Sequence, residues 1–115
     1  MRADLLAALS AHLRTVAPET FDLEMWSCGT TACAIGHAVN VPSIAANGLQ
    51  LTTHVTDIDY RTPIFNRSRG WAAVEECFQL SEDQAEHLFA FEDYPDKQDA
   101  ATVSDRIDAF ISEAA

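Results

Sequence analysis

The chain is 115 residues long and 48% apolar, with 18 acidic side chains against 7 basic ones and a formal charge of −11. That size and apolar content suffice for one self-supporting core and leave no room for a second comparable one, so residues 1–115 are read as a single domain. The charge opposes non-specific attraction to nucleic acid and to anionic lipid, and no stretch approaches the roughly 20 apolar residues that cross a bilayer.

From the start, "ADLLAALSAHLRTV" sets Leu5, Leu6, Leu9, Leu13 and Val16 at three- and four-residue intervals, which predicts an amphipathic helix over 3–16. Its apolar run "LLAAL" is too short for a leader core and is interrupted by Ser10, His12 and Arg14, so a cytoplasmic location is expected. Pro18 follows the stripe, and Phe21, Leu23 and Trp26 in "PETFDLEMW" are expected to anchor a connector onto the core. A second helix is predicted through "ACAIGHAV", with Thr30 or Thr31 as its N-cap and Pro42 ending it. "NVPSIAANG" then reads as a turn.

Leu49, Leu51, Thr53 and Val55 alternate with Gln50, Thr52 and His54, which predicts a strand. A partner strand around "YRTPIF" completes a β-hairpin insertion at about 49–67, with Pro63 placing it at an edge or a bulge. Trp71, Val74, Cys77 and Phe78 return to helical spacing, and Ser81 with Gln84 has the relation of a capping box ahead of Leu88 and Phe91. After the polar "DYPDKQDA", a last helix collects Val103, Ile107, Phe110 and Ile111 on one face, capped by Thr102 or Ser104. The fold expected is therefore mainly α, about five short helices in one body with a small hairpin, an α+β description being the alternative.

The stretch "CGTTACAIGHA" concentrates special side chains at 28–38. Three cysteines, an odd number without a leader, point to reduced thiols rather than a disulfide framework. A metal reading puts Cys33 and His37 on one helical face, folds Cys28 over the first turn and completes a Cys3His zinc site with Cys77. Four residues separate Cys28 from Cys33, at the upper limit for a zinc knuckle, and a core of this size needs no metal to fold. A thiol reading places Cys28 at a helix N-terminus, where the dipole lowers its pKa, with Cys33 to resolve it, yet supplies no base besides His37. A structural reading asks for less: Gly29 turns the chain, Thr30 caps, and Cys33 with Gly36 gives a small-residue packing face. No cofactor is expected on that account, zinc being the alternative. His54, Asp57 and Asp59 offer a further weak divalent-ion arrangement at a strand end.

Charge is unevenly spread. Glu75, Glu76, Glu82, Asp83, Glu86, Glu92, Asp93, Asp96 and Asp99 are opposed locally only by Lys97, while Arg61, Arg67 and Arg69 share an acid-free stretch whose role the sequence leaves open. Phe89, Phe91 and Tyr94 interleave with Glu86, Glu92 and Asp93, which makes this segment a candidate docking face for a basic, apolar partner, the alternative being that these aromatics are core.

Two local patterns carry a resemblance. Cys28, Gly29, Thr30, Cys33 and Gly36 form a Cys-Gly-Thr-x-x-Cys-x-x-Gly element, and Leu80, Ser81, Gln84, Ala85, Leu88 and Phe89 form a Leu-Ser/Thr-x-x-Gln-Ala-x-x-Leu-Phe element, followed by Tyr94 and Pro95. Together they resemble a family of small bacterial and phage hypothetical proteins, across about half the chain. The resemblance implies an α-rich fold, an intracellular setting and an accessory role, and it does not extend to the hairpin. With no catalytic motif recognised, the sequence is read as a non-enzymatic accessory or interaction module, in a special case a phage-type inhibitor of a basic protein. A metal or thiol site at Cys28, Cys33 and His37 with a sensing or enzymatic role is the rival. Neither nucleic acid nor membrane is expected as a direct partner, and homo-oligomerisation is left open.

Overall fold

A computed structural model describes residues 1–24, 32–52 and 62–114. Among them the chain forms α1 (Ala3–Leu13), α2 (Ala34–Ala38), α3 (Pro42–Ala46), β1 (Gln50–Leu51), β2 (Pro63–Phe65), β3 (Ser68–Arg69), α4 (Trp71–Phe78), α5 (Glu82–Phe89) and α6 (Ala100–Ala114). Short 3-10 turns at Pro18–Thr20 and Phe91–Asp93 complete the described elements. The mainly helical fold with a small antiparallel sheet is thus present, and none of the described helices is long and apolar enough to cross a membrane.

Helix α1 is the centre. Its leucine stripe, Leu5, Leu6, Leu9 and Leu13, is fully buried, because a 3.6-residue period brings those positions onto one face. That face meets α2, α3, α4 and, most extensively, α6, whose Val103 and Ile107 are equally buried. Between α1 and α6 lies a polar seam. The Ser10 hydroxyl lies 2.7 Å from that of Ser104 and 2.6 Å from Asp108 Oδ1, and Ser104 Oγ donates to the Ser10 carbonyl at 2.9 Å. Arg14 closes the seam at the surface against Asp105 and Asp108.

Three local expectations are corrected. Helix α2 starts at Ala34, later than predicted, with Cys33 in extended backbone at its N-cap. Ala32 before it pairs with the Phe21 segment: its N–H donates to Thr20 O at 3.0 Å and its carbonyl accepts from Asp22 N at 2.9 Å. Pro42 opens a helix rather than closing one: α2 has already ended at Ala38, and Pro42 occupies the first turn of α3, where its missing N–H costs nothing. Asp99, rather than Thr102 or Ser104, caps α6, accepting from Thr102 N at 2.9 Å; Ser104 is instead buried in the seam.

The sheet has three strands in the order β1-β2-β3, both pairings antiparallel, where a two-stranded hairpin was expected. Pro63 therefore stands on the central strand, tolerated because it is the first residue there. The tight turn to β3 uses Asn66 at φ 55°, a conformation Asn accepts more readily than most residues. The predicted strand positions Thr53, His54 and Val55 lie outside the described residues, as does Arg61. Gly70, at φ 61° and ψ −133°, joins β3 to α4, a backbone combination suited to glycine. Helix α5 carries the predicted capping box in full: Ser81 Oγ accepts from Gln84 N, and Gln84 Oε1 accepts from Ser81 N.

Candidate functional site

Of the cysteine-rich stretch, Cys28, Gly29 and Thr30 lie outside the described residues, as do His54, Asp57 and Asp59. Gly36 is buried in α2. Cys33, 3% exposed, belongs to the core, and burial pushes its thiol up to about 11 although the backbone amides of Gly36 and Ile35 pull the other way. Cys77 on α4 is buried as well; desolvation raises its thiol to about 11, against a smaller opposing effect of Arg2. Both side chains are therefore protonated thiols at neutral pH, the opposite of what an activated nucleophile requires.

His37 turns elsewhere. Its Nε2 is 2.8 Å from the Thr20 carbonyl, to which that nitrogen donates, and its ring stacks on Phe21 at 6.0 Å and tilts against His12 at 6.3 Å. His12 is held below the usual histidine range by burial and by its nearness to His37. Among the described residues no three histidine, cysteine or carboxylate side chains gather as a metal-holding group, so Cys33, His37 and Cys77 do not meet as a ligand set.

The acidic flank has a definite shape. Glu82 and Asp83 occupy the first turn of α5, where negative charge complements the helix dipole. Glu86 follows one turn on, and Glu92 and Asp93 lie in the 3-10 turn beyond the helix. All five are exposed. Partial desolvation, then the fields of Glu82, Asp83, Asp93 and Glu92, raise the Glu86 carboxyl above the ordinary range. None of the five takes part in a salt bridge among the described residues. Glu76 does not belong to this ridge: Ser68 and Asn66 donate to it, which lowers its pKa and ties α4 to the β2–β3 turn.

The aromatic members of the expected docking face are corrected. Phe89 is 3% and Tyr94 1% exposed, and both sit in the core cluster. Tyr94 is drawn in because its hydroxyl donates to the Leu88 carbonyl at 2.5 Å, and Arg106 covers its ring at 3.7 Å from the centroid. The same guanidinium donates to the carbonyls of His87 and Asp93, both at 2.8 Å, so it closes the C-terminal end of α5 on that side. Burial and hydrogen bonding thus remove Phe89 and Tyr94 from the surface and leave Glu86, Glu92 and Asp93 on it.

Beside the ridge the surface is indented. A slot of about 160 Å³ opens between the turn at Leu23 and Glu24, the start of α4 at Trp71, and Phe89 to Glu92 at the end of α5, with Cys33 in its wall. Leu23 and Phe89 are buried there, Phe91 is half-buried, and Trp71 is 36% exposed. Trp71 shares the helical spacing of Val74, Cys77 and Phe78, so the sequence places it in the core, and Glu24 carries no pattern at all. Only the convergence of three segments distant in the chain puts them at one site. A larger groove, about 420 Å³, runs between Leu13, Phe21 and the start of α6, but its cation, Arg14, is already held by Asp105 and Asp108.

No family model matches this chain, and no match was found among curated proteins or among solved structures.

Proposed function

We propose that this chain is a non-enzymatic protein-interaction module whose acidic ridge, Glu82, Asp83, Glu86, Glu92 and Asp93, meets a basic surface on another protein. The observation that carries this reading is the placement of five exposed carboxylates, Glu82, Asp83, Glu86, Glu92 and Asp93, along α5 and the turn beyond it, none of them in a salt bridge among the described residues. Carboxylates crowded in this way are destabilising until a cation approaches, so a positive partner gains a steep electrostatic attraction there. In a special case the partner is a nucleic-acid-binding enzyme whose cationic groove is occluded, which is how a phage-type inhibitor works.

The test is a salt series of binding to a defined basic helical peptide, comparing E86Q/E92Q with E19Q/E113Q, which removes the same charge elsewhere. Ridge neutralisation should weaken binding roughly threefold or more at low salt, the other pair by well under twofold, with both differences fading as ionic strength rises. Equal losses from the two pairs would mean that net charge alone attracts the peptide, and would overturn the reading.

A further inference from the structure

We propose that the groove between the end of α1 and the start of α6 binds a small primary amine with an aromatic body. The site is separate from the acidic ridge, and it adds recognition of a small molecule to recognition of a protein surface.

Size sets the class of ligand. The groove encloses about 420 Å³, within the roughly 300–1,000 Å³ that small-molecule sites occupy. Its walls are fixed by the core before anything binds. Leu13 and Ala100 are buried and form a floor, while Val16 and Phe21 are half-buried and form sides that pack against the core cluster. Phe21 is further held by its stack on His37, at 6.0 Å, so an aromatic wall stands ready without the cost of ordering it. On the α6 side the small residue Ala101, exposed, keeps the groove open.

The polar groups select the charge. Arg14 gives both of its carboxylate bonds from Nη2, to Asp105 at 2.9 Å and Asp108 at 2.8 Å, so the cation in the lining is already matched by two acids. On the opposite wall, Gln98 Nε2 donates to the Phe91 and Tyr94 carbonyls at 3.1 and 3.2 Å, which commits the donor end of that amide and leaves Oε1 as its acceptor end. Asp99 beside it accepts from Thr102 N at 2.9 Å and enters no salt bridge among the described residues. The hydroxyl and amide of Thr102 hold the Asp99 carboxyl below its usual range, so it is ionised at neutral pH. Lys97, whose field reaches Asp99, lines a different hollow with Tyr94 and Arg106. A carboxylate and an amide oxygen next to a compensated cation are complementary to an ammonium, which brings one positive charge and three donors and no acceptor. A carboxylate or phosphate would instead meet Asp99 and the acids around Arg14, in a chain whose formal charge of −11 repels it further.

The probe is tryptamine, titrated into the uniformly 15N-labelled chain while the backbone amides of Ala100 and Ala101 are followed. Tryptophol keeps the ring and replaces the ammonium by a hydroxyl; ethylamine keeps the ammonium and removes the ring. Tryptamine should shift both amides saturably at millimolar concentration, and each of the other two only at several-fold higher concentration. D99N keeps the cap on α6, because Asn serves there as well as Asp, and should weaken tryptamine binding about threefold or more. A101L places a larger side chain in the groove from an exposed helix position and should abolish the shift, whereas E86Q/E92Q should leave the affinity within twofold. Absence of a saturable shift, equal affinities for tryptamine and tryptophol, or a response that survives both D99N and A101L would overturn the proposal. Saturable shifts confined to the amides of α5 would overturn it too, since the amine would then be reading the ridge. The ridge reading is judged separately, by the basic helical peptide.

Discussion

Along the α1–α6 seam, Asp105 and Asp108 meet Arg14 at 2.9 and 2.8 Å and Asp108 also accepts from Ser10, whereas along α5 and the turn beyond it the carboxylates of Glu82, Asp83, Glu86, Glu92 and Asp93 enter no salt bridge among the described residues. The residue types are the same; their surroundings differ. In the seam a hydroxyl and a guanidinium hold the Asp108 carboxyl below its usual range, and on the ridge partial desolvation, then the neighbouring acids, lift that of Glu86 above it. The seam acids are bonded to their neighbours and contribute to the fold, while the ridge acids carry uncompensated charge at the surface.

The comparison can be broken most forcefully at the seam. Ile107→Ala removes a fully buried side chain against α1 and should cost about 3 kcal/mol in urea unfolding, with little change at the ridge. A loss below about 1 kcal/mol would show that α6 is not integral to the core. Ser10→Ala comes next: it deprives Asp108 and Ser104 of a buried partner and should cost about 1–2 kcal/mol, more than an exposed serine could. Ser81→Ala, which removes the capping box that starts the ridge helix, should cost about 1 kcal/mol and lower the amide-exchange protection of α5 before that of α1.

The smallest effects sharpen the contrast through pH. A carboxyl whose folded pKa is depressed contributes stability that is present above its unfolded pKa and lost as pH falls through the folded value. Asp108 is in this class, so D108N should lower the melting temperature at pH 7 and cost progressively less as the pH falls below the ordinary carboxylate range. Glu86 has the opposite sign: its favourable contribution is present below its unfolded pKa and is lost as pH rises through the raised folded value. E86Q should therefore raise the melting temperature slightly at pH 7, with the gain shrinking toward mildly acidic pH. Shifts of the same sign in both variants would erase the distinction between the two regions.

Much of this arrangement can be traced to local sequence. The leucine stripe of α1, the Ser81/Gln84 box and the Val103/Ile107 face follow from side-chain period and capping, which involve neighbours within a turn or two. The acidic ridge is legible for the same reason, because its members are close in sequence. The slot is not, because Glu24, Trp71 and Glu92 come from three segments and Trp71 mimics a core position in its helix. Tyr94 and Phe89 show the converse, aromatics that look like a docking face until a carbonyl at Leu88 and the guanidinium of Arg106 draw them into the interior.

Sequence alone determined that the chain is mainly helical, strongly acidic and negative between α5 and the turn beyond it, since composition, periodicity and capping are properties of short windows. Tertiary structure decided which acids are paired, which aromatics are covered and where the surface is concave. Those outcomes depend on contacts between residues up to 98 positions apart, as between Ser10 and Asp108, and a pattern read along the chain carries no record of such distances until the core has closed.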